Sequence, residues 1–346
     1  VKFNLPDKDV FLIDASLATP ALTGSHSGVG TTLFNMATAP DGRLFVSNTE
    51  ARNEVRFEGE GILATTVRGN TTQNRVTIIE GNSVTPYHLD HHVDFDLPFG
   101  SHVPEVDKLT STAQPGSMVY HNGELWVLAF GSNKVQIFSD PAVSGTGNWF
   151  DAPWAGFLSL RLPGGGPAGI VIQDYRDRAY VYSRFNHQLS VISTNNKFVI
   201  NTIDLFSPEP ASVKQGRPFL YDAELTSSNG TGSCGSCHIF GDLDGLAWDL
   251  GDPDVAVVDN PNAFLPASIP LIGNPKFHPM KGPITTQTLR GIADSGPMHW
   301  RGDCTGQNAV NGESMEAAAF KEFAGAFVGL VGRAEELSEE QLQSFT

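Results

Sequence analysis

The sequence predicts a multidomain protein, with an all-β domain over residues 1–207 and a mostly α-helical domain over residues 208–346. Three observations support this fold class. Short apolar strands separated by turn signals recur up to about residue 206. The composition changes near Pro208-Glu-Pro210, beyond which Gly/Asp-rich loops and helical periodicity replace the alternating strands. A single Cys-x-x-Cys-His motif then follows at residues 234–238.

The composition limits the class of protein and the kind of partner. A chain of 346 residues, of which 40% are hydrophobic, is long enough for more than one globular core. The net charge of −16 argues against nucleic acid as a partner and against an anionic membrane surface. No stretch is predicted to be a transmembrane helix. A basic or neutral protein partner fits this charge better.

The strands of the first domain fall into similar units. Each unit consists of a strand, a tight turn, a second strand, a polar link and a third strand, and Asp41-Gly42 is a hairpin turn of this kind. Corresponding positions are several tens of residues apart, which is the interval of propeller blades. The sequence therefore predicts an N-terminal β-propeller, with a β-sandwich as the alternative. Residues 10–13 are expected to end a blade that begins before this chain.

Two of these segments resemble a known repeat. Residues 39–48 and 186–192 are similar to the YVTN-type propeller repeat, in which a Pro-Asp-Gly turn precedes an apolar strand that ends in Asn. The resemblance implies YVTN-like blades in the first domain.

The motif Cys234-Gly-Ser-Cys237-His238 is the attachment pattern of c-type haem. Each thiol adds across one vinyl group of the porphyrin, and the next residue, His238, can then bind the iron as its proximal ligand. A redox-active dithiol or a zinc site is the alternative, although zinc would require a second pair of ligands. The sequence predicts one haem c. Because this haem is attached outside the cytoplasm, the predicted location is the periplasm or the exterior of a prokaryotic cell.

Two blocks around this motif resemble the bacterial di-haem cytochrome c peroxidase family, which includes the methylamine-utilisation type of di-haem oxidase. The first block leads from Gly216 through Phe219-Leu-Tyr-Asp222 to the motif, and the second comprises residues 281–291 and 298–302. The resemblance covers about residues 216–333 and implies a mostly α c-type cytochrome domain. The family carries two haems, whereas this chain has one attachment motif. We expect a second haem downstream in a longer chain, with a mono-haem protein as the alternative.

The other face of the iron has three candidate ligands. His278 is favoured, because the resemblance places a distal histidine close to this position, and Met280 in the same loop is an alternative. His299 is a further alternative. Its neighbour Trp300 matches the tryptophan that the family has near the haem, and this implies a conduit for electrons.

Two features of the second half carry further expectations. Residues 315–331 are predicted to form one amphipathic helix, and Ser338-Glu-Glu-Gln341 is predicted to open another through a capping box. An acidic run after the motif is a candidate calcium site, with a solvated loop as the alternative. Its members are Asp242, Asp244, Asp249, Asp252 and Asp254.

The predicted function is extracytoplasmic electron transfer by a c-type cytochrome similar to the di-haem peroxidase family. One alternative is a cytochrome c peroxidase or related oxidase that reduces hydrogen peroxide. The other is a propeller-based interaction subunit of a larger electron-transfer complex. The expected partners are a redox partner protein or other cytochromes.

Overall fold

A computed structural model of the chain describes a little under four fifths of it and forms two compact units. The first unit comprises Val1–Ala51, Thr72–His92 and Thr110–Ser207, and the second comprises Arg52–Thr71, Val93–Leu109 and Pro208–Thr346. The structure describes residues 7–52, 70–95, 103–144, 157–250, 257–259, 276–277, 282–296, 298–299, 304–307, 309–310 and 312–346.

The described strands of the first unit form one two-stranded hairpin and three four-stranded antiparallel sheets. The hairpin consists of β1 (Val10–Asp14) and β2 (Ala21–His26). The first sheet contains β3 (Thr32–Thr38), β4 (Leu44–Ala51), β5 (Thr72–Glu80) and β6 (Ser83–His88). The second contains β7 (Pro115–His121), β8 (Glu124–Ala129), β9 (Lys134–Ser139) and β10 (Phe157–Arg161). The third contains β11 (Pro167–Gln173), β12 (Arg178–Ser183), β13 (Gln188–Ser193) and β14 (Val199–Asp204).

Each four-stranded sheet is a simple meander, and the sheets meet through their first strands. β7 lies against both β3 and β11. A serine hydroxyl donates a hydrogen bond across each of the two contacts between neighbouring sheets. Ser47 Oγ donates to Gly116 O, and Ser117 Oγ donates to Ala168 O, both over 2.7 Å. This arrangement of repeated meanders is a propeller-like β fold. The predicted hairpin turn is present, with Gly42 at φ +92°, a conformation that glycine adopts without strain.

The continuous apolar run of β8 explains the core of the first unit. Successive side chains of a strand point to opposite faces. Leu125 and Val127 therefore pack in one buried cluster with Phe45 of the first sheet, while Trp126 and Leu128 pack in another with side chains of the third sheet. β8 is thus buried on both faces, as expected for the middle of three stacked sheets.

The second unit corrects the prediction of a mostly α-helical domain, which is wrong. Its longest described helix, α3, has 11 residues, and loops and two-stranded sheets connect the other short elements. One sheet pairs β15 (Ala247–Leu250) with β18 (Gly282–Thr285), and the other pairs β16 (Val258–Asp259) with β17 (Lys276–Phe277). The many Gly, Pro and Asp residues of this half favour turns over long helices.

The described helices of the chain are short, and none has both the length and the apolar character needed to cross a lipid bilayer. They are α1 (Glu105–Thr110), α2 (Pro141–Ser144), α3 (Ala211–Tyr221), α4 (Ala223–Thr226), α5 (Met315–Lys321), α6 (Gly325–Gly329) and α7 (Glu339–Phe345).

The helix predicted over residues 315–331 is divided. α5 is followed by a 3₁₀ turn, Glu322–Ala324, and then by α6, which begins and ends at glycine. The capping box that opens α7 is present: Ser338 Oγ accepts from Gln341 N, and Gln341 Oε1 accepts from Ser338 N.

Candidate functional site

The Cys-x-x-Cys-His motif follows a compact polar loop in the second unit. After α4, Ser227 Oγ accepts a hydrogen bond from Gly230 N over 2.9 Å, and the loop is buried. At its end Ser236 Oγ accepts from Ser233 N over 3.0 Å, and a 3₁₀ turn, Cys234–Ser236, begins there. The Ser/Gly-rich approach is therefore a folded turn that fixes where the first cysteine stands.

Packing explains why residue 235, between the two cysteines, is glycine. A Cβ atom on Gly235 would lie 2.5 Å from the ring carbon Cδ1 of Tyr221 and 3.1 Å from the backbone oxygen of Leu220. Both neighbours belong to the last turn of α3. The motif turn and α3 can approach this closely only because residue 235 is glycine.

The first cysteine of the motif has apolar surroundings. Cys234 packs against a cluster made by α3, α6 and α7, which includes Phe219, Phe327 and Leu342. Burial raises the pKa of the Cys234 thiol to about 11. It also raises the pKa of Cys237, with smaller contributions from the negative charge of Asp244 and from Cys234. Neither sulfur is a thiolate at neutral pH.

His238 is held by a backbone group that is distant in sequence. Its Nδ1 lies 2.8 Å from the backbone oxygen of Gln287. Because a carbonyl oxygen only accepts, Nδ1 carries the proton and Nε2 has the free lone pair. Burial lowers the pKa of His238, against opposing contributions from the Gln287 bond and Asp244. The imidazole is therefore favoured in its neutral form, in one tautomer and one orientation.

The contact with Gln287 joins the motif to the segment Thr286–Arg290. This segment lies within the second block of the family resemblance, although nothing in that block predicted the contact. Leu289 N donates to Gly241 O over 3.0 Å. Arg290 pairs with Asp242 over 3.0 Å and donates to Phe240 O over 3.3 Å. A backbone carbonyl leaves no signature in a sequence, so only a structure can identify this partner of His238.

Of the other four predicted site residues, the structure describes one, His299. The favoured distal ligand His278, its alternative Met280, and Trp300 lie outside the part of the chain that the structure describes. His299 is described, and its ring meets that of Phe323 edge-on with the centroids 5.7 Å apart. The backbone of Cys304 pairs with Met298, and Cys304 is buried, as expected for a packed thiol.

The cofactor predictions are corrected. In the described ranges, no group of three or more His, Cys, Asp and Glu side chains is placed to hold a metal ion. Asp242 instead pairs with Arg290, and Asp244 accepts from Leu246 N and from Trp248 Nε1 over 2.9 and 2.8 Å. The calcium prediction is therefore wrong for these two acids, while Asp252, Asp254 and the side chain of Asp249 lie outside the description. The prediction of haem c has no support in this arrangement and is withdrawn with it.

Comparisons with known proteins give weak likenesses only. No model of a protein family matches the chain, and no curated protein matches it. Apo AztD from Citrobacter koseri is 13% identical with a TM-score of 0.27, over 56% of this chain and 38% of that one. The hydrazine synthase of Kuenenia stuttgartiensis is 18% identical with a TM-score of 0.36, over 51% and 48%. XC5397 from Xanthomonas campestris, a gluconolactonase, is 12% identical with a TM-score of 0.28, over 53% and 44%.

The chain spans less than half the length of each of these three structures. At such TM-scores, none of the likenesses supports an argument about function.

Proposed function

We propose that this chain is an extracytoplasmic electron-transfer protein whose redox site is the segment Cys234–His238. The observation that supports the proposal is the bond between His238 Nδ1 and Gln287 O, 2.8 Å long, directly after two partly buried cysteines. This bond leaves one imidazole nitrogen with a free lone pair and a fixed direction. A disulfide between Cys234 and Cys237 would persist in an oxidising compartment outside the cytoplasm, which is the location we propose.

The raised pKa values limit what the two sulfurs can be. A thiolate is disfavoured on both Cys234 and Cys237, so their stable states are an uncharged thiol or a disulfide. The neutral imidazole of His238 can accept a proton or donate its lone pair. The segment therefore suits storage of electrons in a shielded site more than rapid exchange of thiols with other proteins.

The test combines a redox titration with intact-mass measurement of the protein purified from the extracytoplasmic fraction. We expect a reversible redox transition in the wild type that is lost in the Cys234→Ala/Cys237→Ala variant. His238→Gln should shift the potential of the transition but leave the mass difference between the oxidised and the reduced protein unchanged. Cys304→Ala is the matched control, because it removes the third cysteine, which lies outside the motif.

The mass identifies the species that carries the electrons. A mass lower than the reduced polypeptide by two hydrogen atoms would assign the transition to a disulfide. An equal mass in the oxidised and reduced states would show that the two cysteines do not carry the electrons. A wild type without any transition, or with a transition that the double cysteine variant keeps, refutes the proposal.

A second candidate function is an interaction subunit of a larger electron-transfer complex. The observation that favours it is a row of exposed apolar side chains at the end of the first unit, where Phe206 is 89% exposed and Ile203 and Leu205 are also exposed. A Phe206→Ser/Leu205→Ser variant should then lose co-purification with cytochromes without loss of folding. Peroxidase activity stays an untested prediction of the sequence.

A further inference from the structure

The stack of sheets in the first unit has two ends. At one end the β1–β2 hairpin covers the first sheet, because Val10 packs in one buried cluster with Val46 and Ile79. At the other end the third sheet packs on the second through the face that carries Ala179 and Val181. The outer face of the hairpin and the far face of the third sheet are therefore the two ends of the stack.

The far face of the third sheet carries an apolar and aromatic patch. Residues that pair directly across neighbouring strands lie on the same face of a sheet. Val171, Tyr180 and Val191 form one row of such partners, and Tyr182 and Leu189 form another. Both rows lie on the face opposite the buried positions of β12. Val171 is 61% exposed and the other four side chains are half-buried, and we call these five residues the sheet end.

The outer face of the hairpin is apolar as well. Phe11 and Ile13 lie at odd spacings from the buried Val10 along β1, so they point away from the first sheet. Leu22 pairs with Ile13 and lies on the same outer face. All three side chains are more than half exposed, and we call them the hairpin end. Contiguous exposed apolar patches of this kind mark interaction surfaces.

We propose that the hairpin end of one copy of this chain docks on the sheet end of a second copy, and that two copies close on each other through two such contacts. The hairpin already packs its inner face on a sheet of its own copy. The contact between copies repeats this kind of packing with the outer face of the hairpin. The inference does not depend on the proposed function.

The charges of the two ends are complementary, which favours contact between unlike ends of two copies. Residues 7–26 contain three acids and one lysine, whereas residues 167–204 contain three acids and four arginine or lysine residues. The third sheet thus has a positive net charge in a chain whose net charge is −16. Opposite charges steer the hairpin end towards the sheet end, while two hairpin ends repel each other.

The number of sheets favours a closed pair over an open chain of copies. Propellers close at about four to eight four-stranded blades. The described strands of the first unit form three four-stranded sheets, and two copies double that number to one within this range. A two-stranded hairpin covers only part of a four-stranded sheet, so a single contact is weak. The second contact of a closed pair is intramolecular and adds avidity.

The experiment is sedimentation velocity of the full chain over a series of concentrations. We expect the wild type to dimerise. Val171→Asp and Ile13→Asp should each stay monomeric up to about 100-fold above the wild-type midpoint, because each places an unpaired charge in both contacts of the pair. Val143→Asp is the matched control and should dimerise as the wild type does. Val143 is 65% exposed, close to the 62% of Ile13, but it lies on α2, between β9 and β10 of the second sheet.

A mixture of Val171→Asp and Ile13→Asp tests the direction of the contact. The first variant keeps its hairpin end and the second keeps its sheet end, so one contact can form between them. We expect a mixed dimer that is about 100-fold weaker than the wild-type dimer, because the avidity of the second contact is lost.

The outcomes are distinct. A wild type that stays monomeric at every concentration overturns the proposal, as does a monomeric Val143→Asp. An Ile13→Asp variant that dimerises as the wild type does also overturns it, because the contact would then join two sheet ends. A mixture that associates no more than either variant alone overturns the head-to-tail contact. If an aspartate variant fails to fold, the serine variant at the same position replaces it in each comparison.

Discussion

The close contact at the motif turn makes a quantitative prediction for Gly235→Ala. The new Cβ would lie 2.5 Å from Tyr221 Cδ1, whereas carbon atoms in good contact are about 3.5–4.0 Å apart. About 1 Å of overlap must therefore be relieved. The second neighbour, the backbone oxygen of Leu220 at 3.1 Å, belongs to α3 and cannot rotate away. We expect the variant to lose about 2 kcal/mol of unfolding free energy, within the range for overpacked sites.

The assay is urea unfolding of the full chain, and the matched control is Gly329→Ala. Gly329 is the last residue of α6, and a Cβ there would meet nothing within 4 Å. Alanine should be neutral or stabilising at that position, by up to about 1 kcal/mol, because it has the higher helix propensity. If Gly235→Ala unfolds at the same urea concentration as Gly329→Ala, the argument that α3 leaves no room for a Cβ atom at residue 235 is refuted.

Two further predictions concern buried charges of the first unit. Arg43→Met should cost about 3 kcal/mol, because it removes the cation from the buried Asp140 carboxylate, which keeps only the hydrogen bonds from Tyr120 and Ala142. Arg176→Met on an exposed turn should cost less than about 1 kcal/mol, and equal losses would refute the argument. Burial raises the pKa of Asp90 to about 7, so the folded protein binds more protons than the unfolded chain between about pH 4 and pH 7. The stability of the wild type relative to Asp90→Asn should fall across this window and then level off, and a pH-independent difference would show Asp90 to be ionised throughout.

The strands of the first unit were accessible from the sequence because their signals are local. Asp41-Gly42 sets a turn through two adjacent residues, and the apolar residues that bury β4 and β8 follow one another directly in each strand. The same holds for the capping box of α7, which Ser338 and Gln341 form with each other. An element that depends on interactions between a few neighbouring residues can therefore be predicted from the sequence.

The helical prediction for the second unit was wrong because apolar periodicity does not show where a helix stops. Residues 315–331 keep apolar side chains at helical spacing, and Ala324 and Phe327 are indeed buried together. The backbone nevertheless changes to a 3₁₀ turn before Gly325 and leaves the helix after Gly329. Glycine lowers helix propensity by about 1 kcal/mol at each position, and tertiary packing of the apolar face survives the break.

The candidate site likewise combines residues that a local motif reveals with contacts that only the folded structure reveals. Cys234, Cys237 and His238 are visible as a motif. The two blocks of the family resemblance contain Tyr221 and Gln287, but neither block predicted what these residues contact. Tyr221 requires glycine at position 235, and Gln287 contributes a backbone oxygen instead of a side chain. A different residue type at 287 would offer the same carbonyl. The bonds that bring this carbonyl to His238 are therefore the part of the site in which substitution should be most informative.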